Sequence, residues 1–153
     1  VKKIVYREAG TQHKQTIILL HGYPSSSHSY RELIPFVWAL PRNSADYLGS
    51  GYNARSNPET QKYTFDFRLN IEELLTTLKV RRYGLYIQDF GAPVGFSMLL
   101  SNPIRLVALI VQNGNAYLEG LTLPRQAFFK AANEQKTQAQ RDKFIHSRLI
   151  KPL

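Results

Sequence analysis

The sequence predicts an α/β fold built on a doubly wound, mainly parallel sheet. Three observations carry that prediction. Strand-like apolar runs alternate along the chain with segments of helical periodicity. Two of the runs, TIILL at Thr16–Leu20 and LVALIVQ at Leu106–Gln112, are continuously apolar, the pattern of strands covered on both faces. A third run, YGLYIQ at Tyr83–Gln88, stops at Asp89 and passes directly into a helical segment.

The elements follow in order. Residues 3–7 (KIVYR) read as a short strand, ended by a polar turn around Gly10. Thr16–Leu20 is a buried strand, β-branched at its start and ended by Gly22. After the loop 21–27, a helix is expected over 28–40, with Tyr30, Leu33, Ile34 and Val37 on one side and Pro35 making it irregular. The alternation then demands a buried strand, but the chain offers Trp38-Ala39-Leu40-Pro41-Arg42-Asn43-Ser44-Ala45. Proline and polar residues contradict a central strand, so this one is expected to be lost, displaced or misrepresented in the sequence.

The second helix is clearer. Phe67, Ile71, Leu74, Leu75 and Leu78 fall at helical spacing, and Asp66 suits its N-cap. A helix over 90–101 follows the strand Tyr83–Gln88, with Asn102-Pro103 as its stop. Leu106–Gln112 then reads as a further buried strand. In such sheets function sits on loops at the carboxyl ends of the strands, which here begin at His21, Asp89 and Asn113.

Composition narrows the function classes. An apolar content of 43% in 153 residues is that of one folded domain. The absence of cysteine excludes disulfides, thiolate catalysis and cysteine-based zinc sites; it permits a reducing cytosol, and a cytoplasmic location is expected. No apolar run approaches the roughly 20 residues that span a bilayer. The net charge is +9, and much of it lies in Arg125, Lys130, Lys136, Arg141, Lys143, Arg148 and Lys151, opposed only by Glu134 and Asp142. Such a stretch can contact phosphates or anionic lipid, or be a solvated face. No nucleic-acid motif accompanies it, so no nucleic-acid partner is expected.

Three motifs carry chemistry. Ile87-Gln88-Asp89-Phe90-Gly91 places a carboxylate at a strand-to-helix turn, where small neighbours are needed and Gly91 supplies one. A carboxylate there is favoured by the helix dipole, is ionised at neutral pH, and can attack a saturated carbon to form an ester. Taken alone, Asp89 serves equally well as an N-cap. His21-Gly22-Tyr23-Pro24 follows the strand Thr16–Leu20. The backbone N–H groups of Tyr23 and Phe90 are candidates for an oxyanion hole, and the alternative is an ordinary Gly-Pro turn. Asp46-Tyr47-Leu48-Gly49-Ser50-Gly51-Tyr52 is glycine-rich but lacks the lysine of a phosphate loop.

Taken together, HGYPSSSHSYRELIP (21–35), DYLGSGYNARSNP (46–58) and IQDFGAPVGF (87–96) resemble the haloalkane dehalogenase and epoxide hydrolase branch of the α/β-hydrolases. VALIVQNGNAY (107–117) resembles the strand that leads from that family's core into its helical cap. The resemblance covers most of 4–130. It implies an α/β-hydrolase core over 1–115 and the basic start of a cap over 116–153. It implies Asp89 as nucleophile, Tyr23 and Phe90 as backbone oxyanion-hole donors, and His21, Gly22, Pro24 and Gly91 as the supporting motif. The implied substrate is a small molecule, an epoxide or haloalkane. The carboxylate forms an alkyl ester that a histidine-activated water hydrolyses, with no cofactor and no metal.

The sequence also departs from that pattern. The family's histidine and its supporting acid follow the cap, so a core lacking its C-terminal strands is expected, with an exposed edge and poor solubility. His146 is the only histidine after Asp89 and stands in a basic stretch, as a surface residue would. Many haloalkane dehalogenases have tryptophan and asparagine where Phe90 and Tyr23 stand; phenylalanine offers halide no side-chain donor. An epoxide hydrolase wants cap tyrosines, and Tyr117 lies near the start of that region. The stretch 65–70 looks one residue short. With the anomalous 38–45, this leads to the expectation of a truncated or partly misread version of a longer hydrolase.

Overall fold

A computed structural model of the chain describes residues 4–10, 15–36, 42–47, 50–53, 67–134, 137 and 140. Its five strands are β1 (Tyr6–Ala9), β2 (Thr16–Leu20), β3 (Arg42–Ala45), β4 (Tyr83–Gln88) and β5 (Leu106–Gln112). They form one sheet in the order β1-β3-β2-β4-β5. Only β1 runs antiparallel to its neighbour, so the sheet is mainly parallel, as the alternation predicts. From β2 the chain crosses to β3 on one side, then returns to place β4 on the other. The strand order therefore reverses at β2, and the loops leaving β2 and β4 lie side by side at their carboxyl ends, where sheets of this kind carry their sites.

Burial follows the alternation of side chains along each strand. Ile18 and Leu20 of β2 join Tyr83, Leu85 and Ile87 of β4 in one core cluster. Helices α2 (Phe67–Thr77) and α3 (Gly91–Ser101) complete it with Ile71, Leu74, Leu75, Ala92, Val94 and Met98. Each valine, leucine, isoleucine or methionine among them, fully buried, contributes roughly 1.5–3 kcal/mol of transfer free energy. On the opposite face Tyr30 meets Tyr86 edge-on, ring centroids 5.6 Å apart, and its hydroxyl donates to the Leu20 carbonyl at 2.7 Å. Arg105 closes the amino end of β4, its guanidinium 5.3 Å from the Tyr83 ring centroid and bonded to the carbonyls of Val80 and Arg81.

Four expectations need correction. The strand judged lost or displaced is present: β3 pairs with both β1 and β2. It is only four residues long, and the polar side chains of Asn43 and Ser44 are small enough to be buried in it. Ser44, fully buried, donates its hydroxyl to the Leu19 carbonyl at 3.1 Å. Asn43 fits less well, since its buried side-chain oxygen has no hydrogen-bond partner among the described residues. Second, the first helix is broken into a 3-10 turn at Ser27–Tyr30 and a four-residue α1 (Leu33–Phe36) within the described residues; 37–40 lie outside them. Third, the first strand starts later, at Tyr6.

Fourth, β5 is not buried. It pairs only with β4, and its register sets Leu109 and Val111 beside Leu85 and Ile87, with Ala108 and Ile110 beside Gly84 and Tyr86. With no further strand beyond it among the described residues, Leu109 is 38% exposed, Val111 46% and Ile110 49%. Its apolar pattern is that of a covered strand. The exposed edge expected of an incomplete sheet is therefore found here.

The chain divides into two compact units, Val1–Ala116 and Tyr117–Leu153. Of the second, the structure describes a 3-10 turn at Leu118–Gly120 and helix α4 (Leu123–Asn133), in which Phe128 and Phe129 stack edge-on at 5.4 Å. The predicted cap at Asp66, the histidines His13 and His146, and the basic residues from Arg141 onward lie outside the described residues. No described helix is long and apolar enough to cross a membrane.

Candidate active site

Strand β4 ends at Gln88, and the chain turns through Asp89 and Phe90 into α3. Asp89 has a backbone φ of +48°, in the left-handed region that costs an ordinary L-residue strain. Two backbone bonds hold the turn: the Asp89 N–H reaches the Gln112 carbonyl at 3.4 Å, and the Ala92 N–H donates to the Asp89 carbonyl at 3.0 Å. The side chain is thereby directed out of the sheet edge, where Asp89 is exposed.

Asp89 does not cap α3. The cap position is Phe90, which makes no side-chain cap bond. Instead Asp89 Oδ1 accepts the backbone N–H of Tyr23, on the loop after β2, at 3.0 Å. The carboxylate also stands before the first turn of α3, whose dipole favours negative charge. Phe90, the other predicted amide donor, is the next residue, and its ring lies 6.3 Å from that of Tyr23.

The two glycines of the predicted motif are required by close approach. A Cβ on Gly22 would lie 2.6 Å from the Asp89 Cβ and 2.8 Å from its Oδ1. A Cβ on Gly91 would strike the Leu20 carbonyl oxygen. Glycine at these positions lets the β2 loop and the start of α3 meet over the carboxylate. Pro24 follows Tyr23 through a cis peptide bond. The residues singled out from sequence, His21 to Pro24 and Asp89 to Gly91, are thus gathered at one end of the sheet.

His21 is 1% exposed and both of its ring nitrogens are engaged. Nδ1 lies 2.8 Å from the Gly22 carbonyl oxygen, and Nε2 accepts the Tyr47 N–H at 3.3 Å. A carbonyl only accepts, so the proton is on Nδ1 and the ring is neutral. Burial lowers the His21 pKa below 6.5, while the Gly22 carbonyl and Asp46 partly offset that. A ring so occupied is a poor candidate for a general base.

Sequence reasoning named Asp46 only as the start of a glycine-rich turn and gave it no role. Its carboxylate is 2% exposed and accepts the Ser27 N–H at 2.7 Å and the Tyr52 N–H at 3.1 Å. It ties the turn 50–53 to the segment beyond the β2 loop, and Gly51, at φ +55°, leaves room for it. The signal available was an aspartate immediately after a strand; its partners, 19 and 6 residues away, were not legible.

Comparison with known proteins agrees with this fold. Residues 15–144 match a family model described as the alpha/beta hydrolase fold. The uncharacterized hydrolase YNR064C of Saccharomyces cerevisiae is 43% identical over 120 residues, covering 78% of this chain and 41% of the yeast protein. A haloalkane dehalogenase of Mesorhizobium japonicum is 34% identical over 104 residues, 68% of this chain and 33% of its own. The chain thus spans less than half the length of either relative. Among solved structures, the haloalkane dehalogenase DbeA of Bradyrhizobium elkani superposes with a TM-score of 0.76 at 20% identity, over 95% of this chain and 50% of that one. A mutant of a candidate epoxide hydrolase from Pseudomonas aeruginosa gives 0.75 at 18% identity, over 94% and 50%.

Proposed function

We propose, for a chain that belongs to the α/β-hydrolase fold family, that Asp89 is the nucleophile of a hydrolase acting on a small apolar electrophile, an epoxide or a haloalkane. The observation that carries this reading is the 3.0 Å hydrogen bond from the Tyr23 N–H to Asp89 Oδ1. It retains one carboxylate oxygen in the turn and leaves Oδ2 to attack. Attack forms a C–O bond to a saturated carbon. The carbon–halogen bond breaks and halide leaves, or an epoxide C–O bond breaks and its oxygen takes a proton from an acid or from water. Either route gives an alkyl ester of Asp89.

Hydrolysis of that ester requires a base-activated water. Addition of the water places negative charge on the carbonyl oxygen beside the Tyr23 N–H, where a fixed donor lowers the barrier. Phe90 would supply the second backbone donor, and residues 116–153 would begin a cap. The haloalkane dehalogenase and epoxide hydrolase names among the relatives support the substrate class.

A second reading, an inert α/β-hydrolase-like binding module, is favoured by the engagement of His21 in backbone hydrogen bonds. One experiment separates the two. The chain is incubated with a panel of epoxides and 1-haloalkanes, and the peptide carrying Asp89 is weighed by mass spectrometry. An alkyl adduct on Asp89 is expected, persisting where no base is present to hydrolyse it. An unmodified Asp89 across the whole panel would leave the binding module as the better reading.

A further inference from the structure

Gly22 poses a problem that its own sequence does not solve. The position must be glycine, because a Cβ would lie 2.6 Å from that of Asp89. Glycine leaves the peptide plane free to rotate more than any other residue does. Yet the Tyr23 N–H, which belongs to the same peptide unit as the Gly22 carbonyl, has to point at Asp89 Oδ1. In a trans peptide the carbonyl and the N–H point in opposite directions, so whatever fixes the one aims the other.

Two donors fix that carbonyl. The Ser25 N–H reaches it at 3.2 Å within the same loop. The closer one is the His21 ring, with Nδ1 at 2.8 Å. The ring is itself held from another element: the Tyr47 N–H, just beyond β3, donates to Nε2 at 3.3 Å, and the Tyr47 ring lies 4.4 Å from the imidazole. Tyr47 is 6% exposed and packs in turn on Phe67 of α2 at 4.9 Å. The core is thereby connected to one peptide plane beside Asp89.

We propose that His21 is a positioning residue of the Asp89 site: its Nδ1–H fixes the Gly22–Tyr23 peptide plane and so aims the Tyr23 N–H at the carboxylate. Its value to the chemistry rests on the reading of Asp89 as nucleophile, but its action on the peptide plane does not. The tautomer is part of the proposal. If the proton moved to Nε2, that nitrogen would oppose the Tyr47 N–H, and Nδ1 would have nothing to donate to Gly22.

The test uses NMR on the whole chain alongside Asp89 esterification. Long-range proton–nitrogen correlation is expected to show His21 protonated on Nδ1 and bare on Nε2. In His21→Leu, which has no donor, hydrogen exchange at the Tyr23 amide is expected to accelerate roughly tenfold, the loss of one hydrogen bond. Ester formation should slow by a similar factor. In His21→Asn, whose side-chain nitrogen falls where Nδ1 was, both effects should be largely rescued.

A proton on Nε2 overturns the proposal. So does a Tyr23 amide unchanged in His21→Leu. If His21→Leu does not fold, the tautomer of the unaltered chain and the behaviour of His21→Asn still decide. Failure of the Asp89 reading is distinguishable: no ester forms on the unaltered chain, while the tautomer and the Tyr23 amide continue to report on His21.

Discussion

At the scale of single residues, the site depends on a carboxylate in a backbone conformation that few residues tolerate. Asp89 at φ +48° lies where asparagine and aspartate are several-fold enriched, so Asp89→Asn preserves the turn. The amide oxygen can still accept the Tyr23 N–H, and stability is expected to change by no more than about 0.5 kcal/mol. Nucleophilicity is lost with the charge, so the Asp89 adduct should disappear. Intact mass after incubation with substrate, beside a thermal melt, checks both halves. His21 adds a dependence on pH. Its folded pKa is lowered because burial disfavours the charged ring. Below pH 6.5 the unfolded chain binds a proton at this residue that the folded chain declines. Stability should therefore be full above that value and decline as pH falls below it, by at most ~1.4 kcal/mol per pH unit, until the lowered folded value is reached. His21→Asn should remove that part of the slope. Denaturant melts at several pH values measure it.

At the scale of elements, the least regular strand carries the most structural consequence. β3 ends at Ala45, and the next two residues, Asp46 and Tyr47, hold the loop after β2 at Ser27 and at the His21 ring. Asp46→Ala would leave the Ser27 and Tyr52 amides without their acceptor, at a cost of about 2–4 kcal/mol. A fall in melting temperature on the order of 10 °C is expected, together with faster exchange at the Ser27 amide, which the carboxylate now protects. Sequence made the regular elements legible because their information is local. The period of Phe67, Ile71, Leu74 and Leu75 is that of α2, and Tyr83–Gln88 and Leu106–Gln112 are apolar within their own bounds. β3 has no such internal signal. Arg42–Ala45 is a strand because β1 and β2 offer it backbone partners and Leu19 offers an acceptor for Ser44. The site divides in the same way. Asp89, Gly91 and Gly22 were legible because an elbow requires those residue types. The clamp on His21 was not, because Tyr47 is 26 residues away and acts through its backbone.

At the scale of the whole molecule, the sheet ends on one side at β5, with no further strand among the described residues. Its free backbone groups invite a further strand, and its apolar side chains emerge on both faces. Native edges are usually short, charged or covered, whereas β5 runs for seven residues from Leu106 to Gln112 without a charge. Nearby Leu100 and Ile104 are 87% and 81% exposed, which enlarges the apolar area at this end. The 153-residue chain is therefore expected to self-associate in solution, through an edge distinct from the site at Asp89. A single inward charge tests which feature drives it. Ile110 is 49% exposed, so Ile110→Lys should cost the fold at most about 1 kcal/mol. If the edge is the contact, light scattering at matched concentration should show the association constant reduced about tenfold or more, what losing one buried aliphatic side chain from an interface implies. The Asp89 adduct should form at an unchanged rate, since Ile110 pairs with Tyr86, three residues before the elbow. Association undiminished by Ile110→Lys and equally by Val111→Lys would assign it to another surface, with the basic segment after Arg125 the next to test by its dependence on salt.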